Sequence, residues 1–267
     1  MMDNKVSVAP PNAASSFRAP WQVQGFGLTD VGRVRERNED AFVVLPHVGL
    51  FAVADGIGGL PGGDVAARIL VTAVRETLED SDTPWSGVSL ADSARRRRLL
   101  VQGVERANCE IQAEARRSSR RGMGTTFAGI LMSEDQVMIA HVGDSRVYRL
   151  RGRHLELLTV DHSFVNQLLQ TGVIRAEDIP GSRIPNLLAR SVGAKSTITV
   201  DTRIEATASN DTYLVCTDGL HDLLKDDDIA AILSAEPDPC KAVHTLIRHA
   251  NEQGGFDNIT AVAVRLG

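Results

Sequence analysis

Alternating apolar and polar positions, rich in β-branched residues and bounded by turn residues, predict ten strands along the chain. The predicted strands cover residues 22–31, 41–46, 49–54, 125–133, 136–143, 146–151, 154–159, 198–207, 212–217 and 258–266. Apolar residues three and four positions apart predict helices over residues 64–80, 89–119, 226–234 and 239–252. Because strands and helices come in separate blocks, we predict an α+β fold with sheet packed on sheet and helices outside.

The composition is that of one folded domain with a short lead-in. Of the 267 residues, 43% are hydrophobic and 24% are charged, as in ordinary globular proteins. Residues 1–20 are rich in Pro, Ala and Ser and are predicted to be a disordered lead-in. No linker or repeat follows, so residues 21–267 are predicted to form a single domain.

Charge and cysteine content argue against several classes of protein. The net charge of −5 disfavours a nucleic-acid partner, and no apolar run is long enough to span a membrane. Cys109, Cys216 and Cys240 are odd in number and far apart, which favours free thiols in a reducing compartment. We therefore expect a cytoplasmic protein that has neither nucleic acid nor membrane as a partner.

Four consecutive arginines, Arg95–Arg98, lie on the predicted second helix. A run of like charge on a helix is typical of a solvated face, which is the interpretation we favour. A docking patch is the alternative.

Acidic residues recur where apolar strands meet loops. Asp55 and Asp218 each end an apolar run, and each is followed by a glycine. A strand end is rigid with an accessible tip, and glycine lets the backbone approach a ligand closely. The acids in such positions are Glu39, Asp40, Asp55, Asp144, Asp218 and Asp257.

Carboxylates that converge repel one another unless a cation lies between them. Mg²⁺ and Mn²⁺ prefer oxygen ligands, and a pair of such ions is the arrangement that hydrolyses phosphate esters. The alternative is that the Asp-Gly and Asp-Asn pairs are simply turn dipeptides. The spacing in the sequence leaves both interpretations open.

Seven segments in a fixed order give the chain a family resemblance. They are TDVGRVRERNEDAF (29–42), LFAVADGIGG (50–59), GMGTTFAG (122–129), VGDSRVYRLR (142–151), LTVDHSFVNQLLQTGVI (158–174), LVCTDGLHD (214–222) and GGFDNITAVAV (254–264). Together they resemble the bacterial metal-dependent Ser/Thr protein phosphatases of the type 2C family, over nearly the whole chain. The resemblance implies a four-layer α-β-β-α sandwich, with two mainly antiparallel sheets and helices on both outer faces.

The resemblance also implies a metal centre at one end of the sandwich. Asp55 would bridge two Mn²⁺ or Mg²⁺ ions, and Gly56 would contribute its carbonyl oxygen. Asp218 and Asp257 would complete the shell of the first ion. A water activated by both ions would then attack the phosphorus.

Further positions match the family's motifs. Asp40 would serve at the metal centre, Glu39 would act through water, and Asp144 would hold a third, weaker ion. Arg35 matches the arginine that grips the substrate phosphate, a task suited to its planar fork. The segment 162–186 matches a mobile flap beside the site.

The proton donor to the leaving group is where the chain departs from its relatives. Animal members carry a histidine at the position of Ile57, and bacterial members usually carry one at the position of Leu60. A metal-bound water and His221 are the remaining candidates, whereas His162 is expected to order the flap.

The expected function is hydrolysis of phosphoserine and phosphothreonine in proteins by a monomer that reverses a bacterial Ser/Thr kinase. A non-catalytic phosphoprotein sensor of the same fold is the alternative. A P-loop enzyme is disfavoured because residues 193–196 lack the required glycine, and no cysteine has the arginine six residues later that a cysteine phosphatase needs.

Overall fold

The computed structural model describes residues 22–57, 62–80, 90–120, 122–133, 135–175, 177 and 187–267. The strands are β1 (Val23–Asp30), β2 (Asp40–Leu45), β3 (Leu50–Asp55), β4 (Phe127–Met132), β5 (Gln136–Val142), β6 (Arg146–Arg151), β7 (His154–Leu157), β8 (Asp201–Ala206), β9 (Thr212–Cys216) and β10 (Ile259–Leu266). The helices are α1 (Gly63–Glu79), α2 (Leu90–Arg117), α3 (Phe164–Gln170), α4 (Asp218–His221), α5 (Asp226–Ala235) and α6 (Pro239–Glu252).

The strands form two five-stranded antiparallel sheets. The first sheet has the order β1-β10-β9-β6-β7, and the second has the order β2-β3-β4-β5-β8. Helices α1 and α2 cover the outer face of the second sheet, while α5 and α6 lie on the first. This four-layer arrangement confirms the predicted fold.

Strand β3 shows why its sequence is apolar without alternation. Phe51 and Val53 face the first sheet in the central core, whereas Leu50, Ala52 and Ala54 face α1 and α2. Side chains alternate between the two faces of a strand, so a strand covered on both faces must be apolar throughout.

The predicted elements correspond closely to those observed, with two additions. The short helices α3 and α4 were not predicted. Ser163 caps the N-terminus of α3, where its hydroxyl accepts a hydrogen bond from the Asn166 N–H. The predicted disordered lead-in, residues 1–20, lies outside the described residues, so the predicted domain boundaries stay a prediction. No helix within the described parts of the chain is long and apolar enough to cross a membrane.

The arginine run is not uniformly solvated. Arg96 is only 2% exposed and donates a hydrogen bond to the backbone carbonyl of Val48. Burial lowers the pKa of its guanidinium to about 10. The prediction of a solvated face is therefore wrong for Arg96, which instead anchors α2 against the β2–β3 turn.

Strand ends gather at one end of the sandwich. In the second sheet Asp40 at the start of β2 pairs with Asp55 at the end of β3. In the first sheet Cys216 at the end of β9 pairs with Arg146 at the start of β6. The antiparallel register therefore brings acids from distant parts of the sequence to the same end.

Candidate metal centre

A cavity of about 500 Å³ opens at this end of the sandwich. The described residues that line it are Arg35, Glu36, Arg37, Glu39, Asp55, Gly56, Ile57, Thr126, Asp144, Leu187, Leu188, Asp218, Asp257 and Asn258. Every predicted site residue except Asp40 is in this set. Asp40 lies next to the cavity, in register with Asp55 on the adjoining strand. The structure thus brings the predicted acids together.

Two glycines let backbones pack tightly behind the acids. A Cβ at Gly56 would lie 2.5 Å from the Gly63 carbonyl oxygen and 2.6 Å from that of Glu39. A Cβ at Gly219 would lie 2.0 Å from the Asn258 carbonyl oxygen. Since only glycine fits at these two positions, each Asp-Gly pair places its carboxylate against the neighbouring segment.

Asp40, Asp55, Asp144 and Asp218 form what we call the carboxylate cluster. Burial, together with the nearby charge of Asp218, raises the pKa of Asp40 to about 8 and that of Asp144 to about 7. Burial, the charges of Asp40 and Asp218, and a carboxyl–carboxyl hydrogen bond to Asp218 hold the pKa of Asp55 well above its usual range. The cluster therefore retains protons unless cations replace them.

Two oxygens of the cluster fit the requirements of a cation site. Asp40 Oδ1 and Asp218 Oδ1 are buried and have no hydrogen-bond partner among the described residues. A buried carboxylate oxygen without a hydrogen-bond donor lowers the stability of the fold, and a hard divalent cation can serve as its partner. The all-oxygen donor set and these unpartnered atoms fit Mg²⁺ or Mn²⁺.

Arg35 lies at the rim of the cavity. Its Nη2 donates a hydrogen bond of 2.6 Å to Asp257 Oδ2, and the two side chains are 44% and 37% exposed. This hydrogen bond raises the pKa of Arg35. The sequence predicted a role for each residue but not the contact between them, because 222 positions separate them.

His221 does not face the cavity as a free acid. Its side chain is 3% exposed, and its Nδ1 lies 3.3 Å from Asp222 Oδ1. Its Nε2 bonds the backbone carbonyl of Asp144 at 3.0 Å. The structure therefore disfavours His221 as the proton donor and places it as a support for Asp144.

The two positions at which relatives carry a histidine offer no described proton donor. Ile57 contributes an apolar side chain to the cavity wall, and Leu60 lies outside the described residues. None of the lining residues that the structure describes is a histidine.

His162 ties the start of the predicted flap to the site. Its Nδ1 accepts a hydrogen bond from the Gly143 N–H, beside Asp144, and its Nε2 lies 3.2 Å from Asp201. Its backbone N–H donates to the Gly143 carbonyl, and its backbone carbonyl accepts from the Ala189 N–H. His162 therefore connects residues that precede the segment 162–186 with residues that follow it. Most of residues 176–186 lie outside the described part of the chain.

Sequence inspection missed a cluster beside the flap. Ligating atoms of His141, His162 and Asp201 lie within 4.8 Å of one another. The two imidazole rings are stacked, with centroids 4.5 Å apart. Arg190 already forms an ion pair with Asp201, and His141 Nε2 bonds the Val160 carbonyl. These contacts connect residues that precede the segment 162–186 with residues that follow it. Only the DHS motif at 161–163 hinted at the cluster.

A sandwich with carboxylates gathered at one end and an arginine at the rim is the arrangement expected of a metal-dependent phosphoester hydrolase. The family model described as protein phosphatase 2C matches residues 32–254. The chain belongs to the protein phosphatase 2C family.

Named relatives and solved structures are similar over most of the chain. The serine/threonine phosphatase stp of Listeria monocytogenes is 35% identical over 88% of this chain and 93% of its own. Protein phosphatase PhpP of Streptococcus pneumoniae is 31% identical over 90% of this chain and 96% of its own. The catalytic domain of the phosphatase PstP, solved with two manganese ions, superposes with a TM-score of 0.76 at 30% identity, covering 91% of this chain and 98% of that one.

Proposed function

We propose that this chain is a metal-dependent phosphatase that hydrolyses phosphoserine and phosphothreonine in proteins. The observation that carries this proposal is that Asp55, Asp144, Asp218 and Asp257 share one cavity with Arg35. Carboxylates favour hard divalent cations, and a guanidinium favours the oxygens of a phosphoryl group. No observation favours the non-catalytic sensor.

The residues present suit two Mn²⁺ or Mg²⁺ ions, with a third at Asp144. Asp55, the Gly56 carbonyl, Asp218 and Asp257 would hold the first two. Asp40 would contribute its unpartnered Oδ1, and Glu39 would act through water. When bound, divalent cations supply a hydroxide nucleophile near neutral pH and offset charge on the phosphoryl oxygens.

Arg35 would bind and orient the phosphoryl group. A guanidinium has five N–H donors, and the only Arg35 contact among the described residues uses Nη2. Donors therefore remain for two phosphoryl oxygens, where the planar fork fits best. The leaving alkoxide needs a proton, and we assign it to solvent water because the described cavity wall carries no histidine.

The partners follow from this chemistry. The substrates are phosphoproteins, and we propose that they are products of a bacterial Ser/Thr kinase. We also propose that the chain acts as a monomer.

Turnover of a phosphothreonine peptide tests the proposal. We expect chelator-stripped protein to be inactive and added Mn²⁺ or Mg²⁺ to restore phosphate release. A matched phosphotyrosine peptide serves as the control for side-chain selectivity. Peptide binding without phosphate release at any Mn²⁺ concentration would support the sensor instead, and full activity after exhaustive chelation would exclude a metal-dependent reaction.

A further inference from the structure

Asp40 is held by a closed ring of hydrogen bonds that begins and ends on its own atoms. Its backbone N–H donates to Asn38 Oδ1 at 3.1 Å, and Asn38 Nδ2 donates to Thr29 Oγ1 at 2.8 Å. Thr29 Oγ1 lies 2.7 Å from Thr260 Oγ1. Thr260 in turn donates to Asp40 Oδ2 at 2.6 Å, which closes the ring.

With Asp40 ionised, the form that would bind a cation, the direction of every hydrogen bond in the ring is determined. The single hydroxyl proton of Thr260 then goes to Asp40, so toward Thr29 this hydroxyl can only accept. Thr29 must therefore donate to Thr260. The amide orientation of Asn38 follows because its Oδ1 accepts from the Asp40 N–H. All donors run the same way around the ring, so each bond polarises the next.

Thr217 supplies a second hydroxyl to the same carboxylate oxygen. Its Oγ1 donates to Asp40 Oδ2 at 3.0 Å and accepts the Thr260 N–H at 3.0 Å. Asp40 Oδ2 is thus used by two hydroxyl donors. Asp40 Oδ1 is buried and has no partner among the described residues. One oxygen of the carboxylate is therefore occupied by hydrogen bonds, while the other is left available to a cation.

The ring also joins the two sheets at the site. Thr29 and Thr260 belong to strands of the first sheet, whereas Asp40 begins a strand of the second. Thr217 directly precedes Asp218 in the sequence. Fixing Asp40 to these threonines therefore fixes its position relative to the rest of the carboxylate cluster.

We propose that Thr29, Thr217 and Thr260 are positioning residues: they orient Asp40 so that Oδ1 is its free acceptor, and they thereby set the affinity of the site for divalent cations. This inference rests on the proposed function, because it places Asp40 at the metal centre. Without the hydroxyls, the carboxylate is free to rotate, and the geometry offered to a cation is no longer fixed.

Calorimetric titration of chelator-stripped protein with Mn²⁺ tests this inference. Thr260→Val keeps the shape of the side chain and removes the hydroxyl, and we expect the Mn²⁺ affinity to fall by about 10- to 100-fold, as when other outer partners of metal ligands are lost. Thr260→Ser restores the hydroxyl and should restore most of the affinity. Thr77→Val is the matched control, because the Thr77 hydroxyl bonds only the Ala73 carbonyl on α1 among the described residues; its Mn²⁺ affinity should be unchanged.

Wild-type affinity in Thr260→Val, or equal losses in Thr260→Val and Thr260→Ser, would overturn the inference. If Thr260→Val fails to fold by circular dichroism, the same comparison is made with Thr217→Val and Thr217→Ser. Asp40→Asn distinguishes the metal-binding role of Asp40 from the positioning role of the threonines. If Asp40→Asn loses Mn²⁺ affinity and Thr260→Val does not, the ring has no positioning role while the metal centre stands. If wild-type protein neither binds Mn²⁺ nor releases phosphate, the proposed function itself fails.

Discussion

Carboxylates at two places in the sandwich differ in their ion pairing and in the direction of their pKa shifts. Along its side, where the edge strands β7 and β8 lie, Arg149 and Arg203 each bond both Glu156 and Glu205. We call these four residues the edge network. Burial raises the pKa of Glu156 and Glu205, but hydrogen bonds from the arginines lower it by more, so both pKa values lie below their usual range.

The carboxylate cluster at the end of the sandwich shows the reverse. There burial raises the pKa of Asp40, Asp55, Asp144 and Asp218. Among the described residues, no ion pair joins any of these four acids to an arginine, and Arg35 pairs with Asp257 instead. Paired acids stabilise a fold without further help, whereas a buried, unpaired cluster costs stability. The proposed cation site accounts for this difference, because a bound cation would offset the charges of the cluster.

The largest expected effect comes from removing one cluster charge. In Asp218→Asn we expect phosphatase turnover to fall by more than ~100-fold, since even the outer partners of metal ligands are worth 10- to 100-fold. Steady-state phosphate release at saturating Mn²⁺ measures it. The same change in the edge network, Glu205→Gln, should leave turnover unchanged. Comparable losses in both variants would mean that the two regions do not differ in function.

Arg35→Ala should have the next largest effect. Charge-assisted hydrogen bonds contribute ~1.5–3 kcal/mol, so kcat/KM on a phosphothreonine peptide should fall by roughly 10- to 200-fold. Mn²⁺ affinity should not fall, because Asp257 is released from its ion pair. Arg35→Lys should rescue only in part, as an ammonium lacks the planar fork. A larger loss in Arg37→Ala, another arginine of the cavity wall, would move the phosphate-binding role to Arg37.

The pH dependence of stability should differ with and without cation. Asp40 has a pKa of about 8 and Asp144 of about 7 in the fold, against ~3.9 in an unfolded chain. Between these values the folded protein binds more protons than the unfolded one, so its stability falls as pH rises. In chelator we expect the Tm to drop by at least ~3 °C between about pH 6.5 and pH 8, a range above the ordinary histidine pKa of ~6.5, where His141 and His162 no longer contribute to the pH dependence. Thermal melts should show Mn²⁺ removing this drop.

The edge network cannot produce that drop. The stability from its lowered glutamate pKa values is lost only as pH falls below their ordinary value of ~4.3. A Tm that rises between about pH 6.5 and pH 8 in chelator would therefore contradict the raised pKa values of the cluster.

The smallest expected effect is in the edge network itself. Arg203 is 42% exposed, and exposed ion pairs contribute ~0–1 kcal/mol. Arg203→Ala should lower the free energy of unfolding by no more than about 1 kcal/mol in urea titrations, with phosphatase turnover unchanged. A loss of turnover would connect this distant edge to the site and remove the contrast between the two regions.

Much of the fold and the acids of the site could be predicted from the sequence because both depend on local pattern. Apolar runs that end in Asp-Gly, as at Asp55 and Asp218, reveal both a buried strand and its accessible tip. The antiparallel register then brings such tips together. The seven ordered segments added Arg35 as the residue proposed to bind phosphate, which local pattern alone does not distinguish from other arginines.

The features that were missed depend on partners far apart in the sequence. Thr29 and Thr260 are 231 positions apart, and nothing in either neighbourhood indicates their contact. Arg96 sits in a run of charge, yet it is buried because α2 happens to place it over the Val48 carbonyl. Such contacts follow from tertiary packing, so they become visible only in the structure.

The number of protons that Mn²⁺ displaces tests most directly whether the carboxylate cluster is kept unpaired for cations. Carboxylates must lose their protons to bind a metal, so a protonated cluster releases protons as it is loaded. Calorimetric Mn²⁺ titration of chelator-stripped protein near pH 7, in two buffers of different ionisation enthalpy, gives that number. Because Asp40 has a pKa of about 8 and Asp55 bonds Asp218 through a carboxyl proton, we predict release of at least about one proton per chain. Mn²⁺ binding without proton release, or no Mn²⁺ binding, would contradict this.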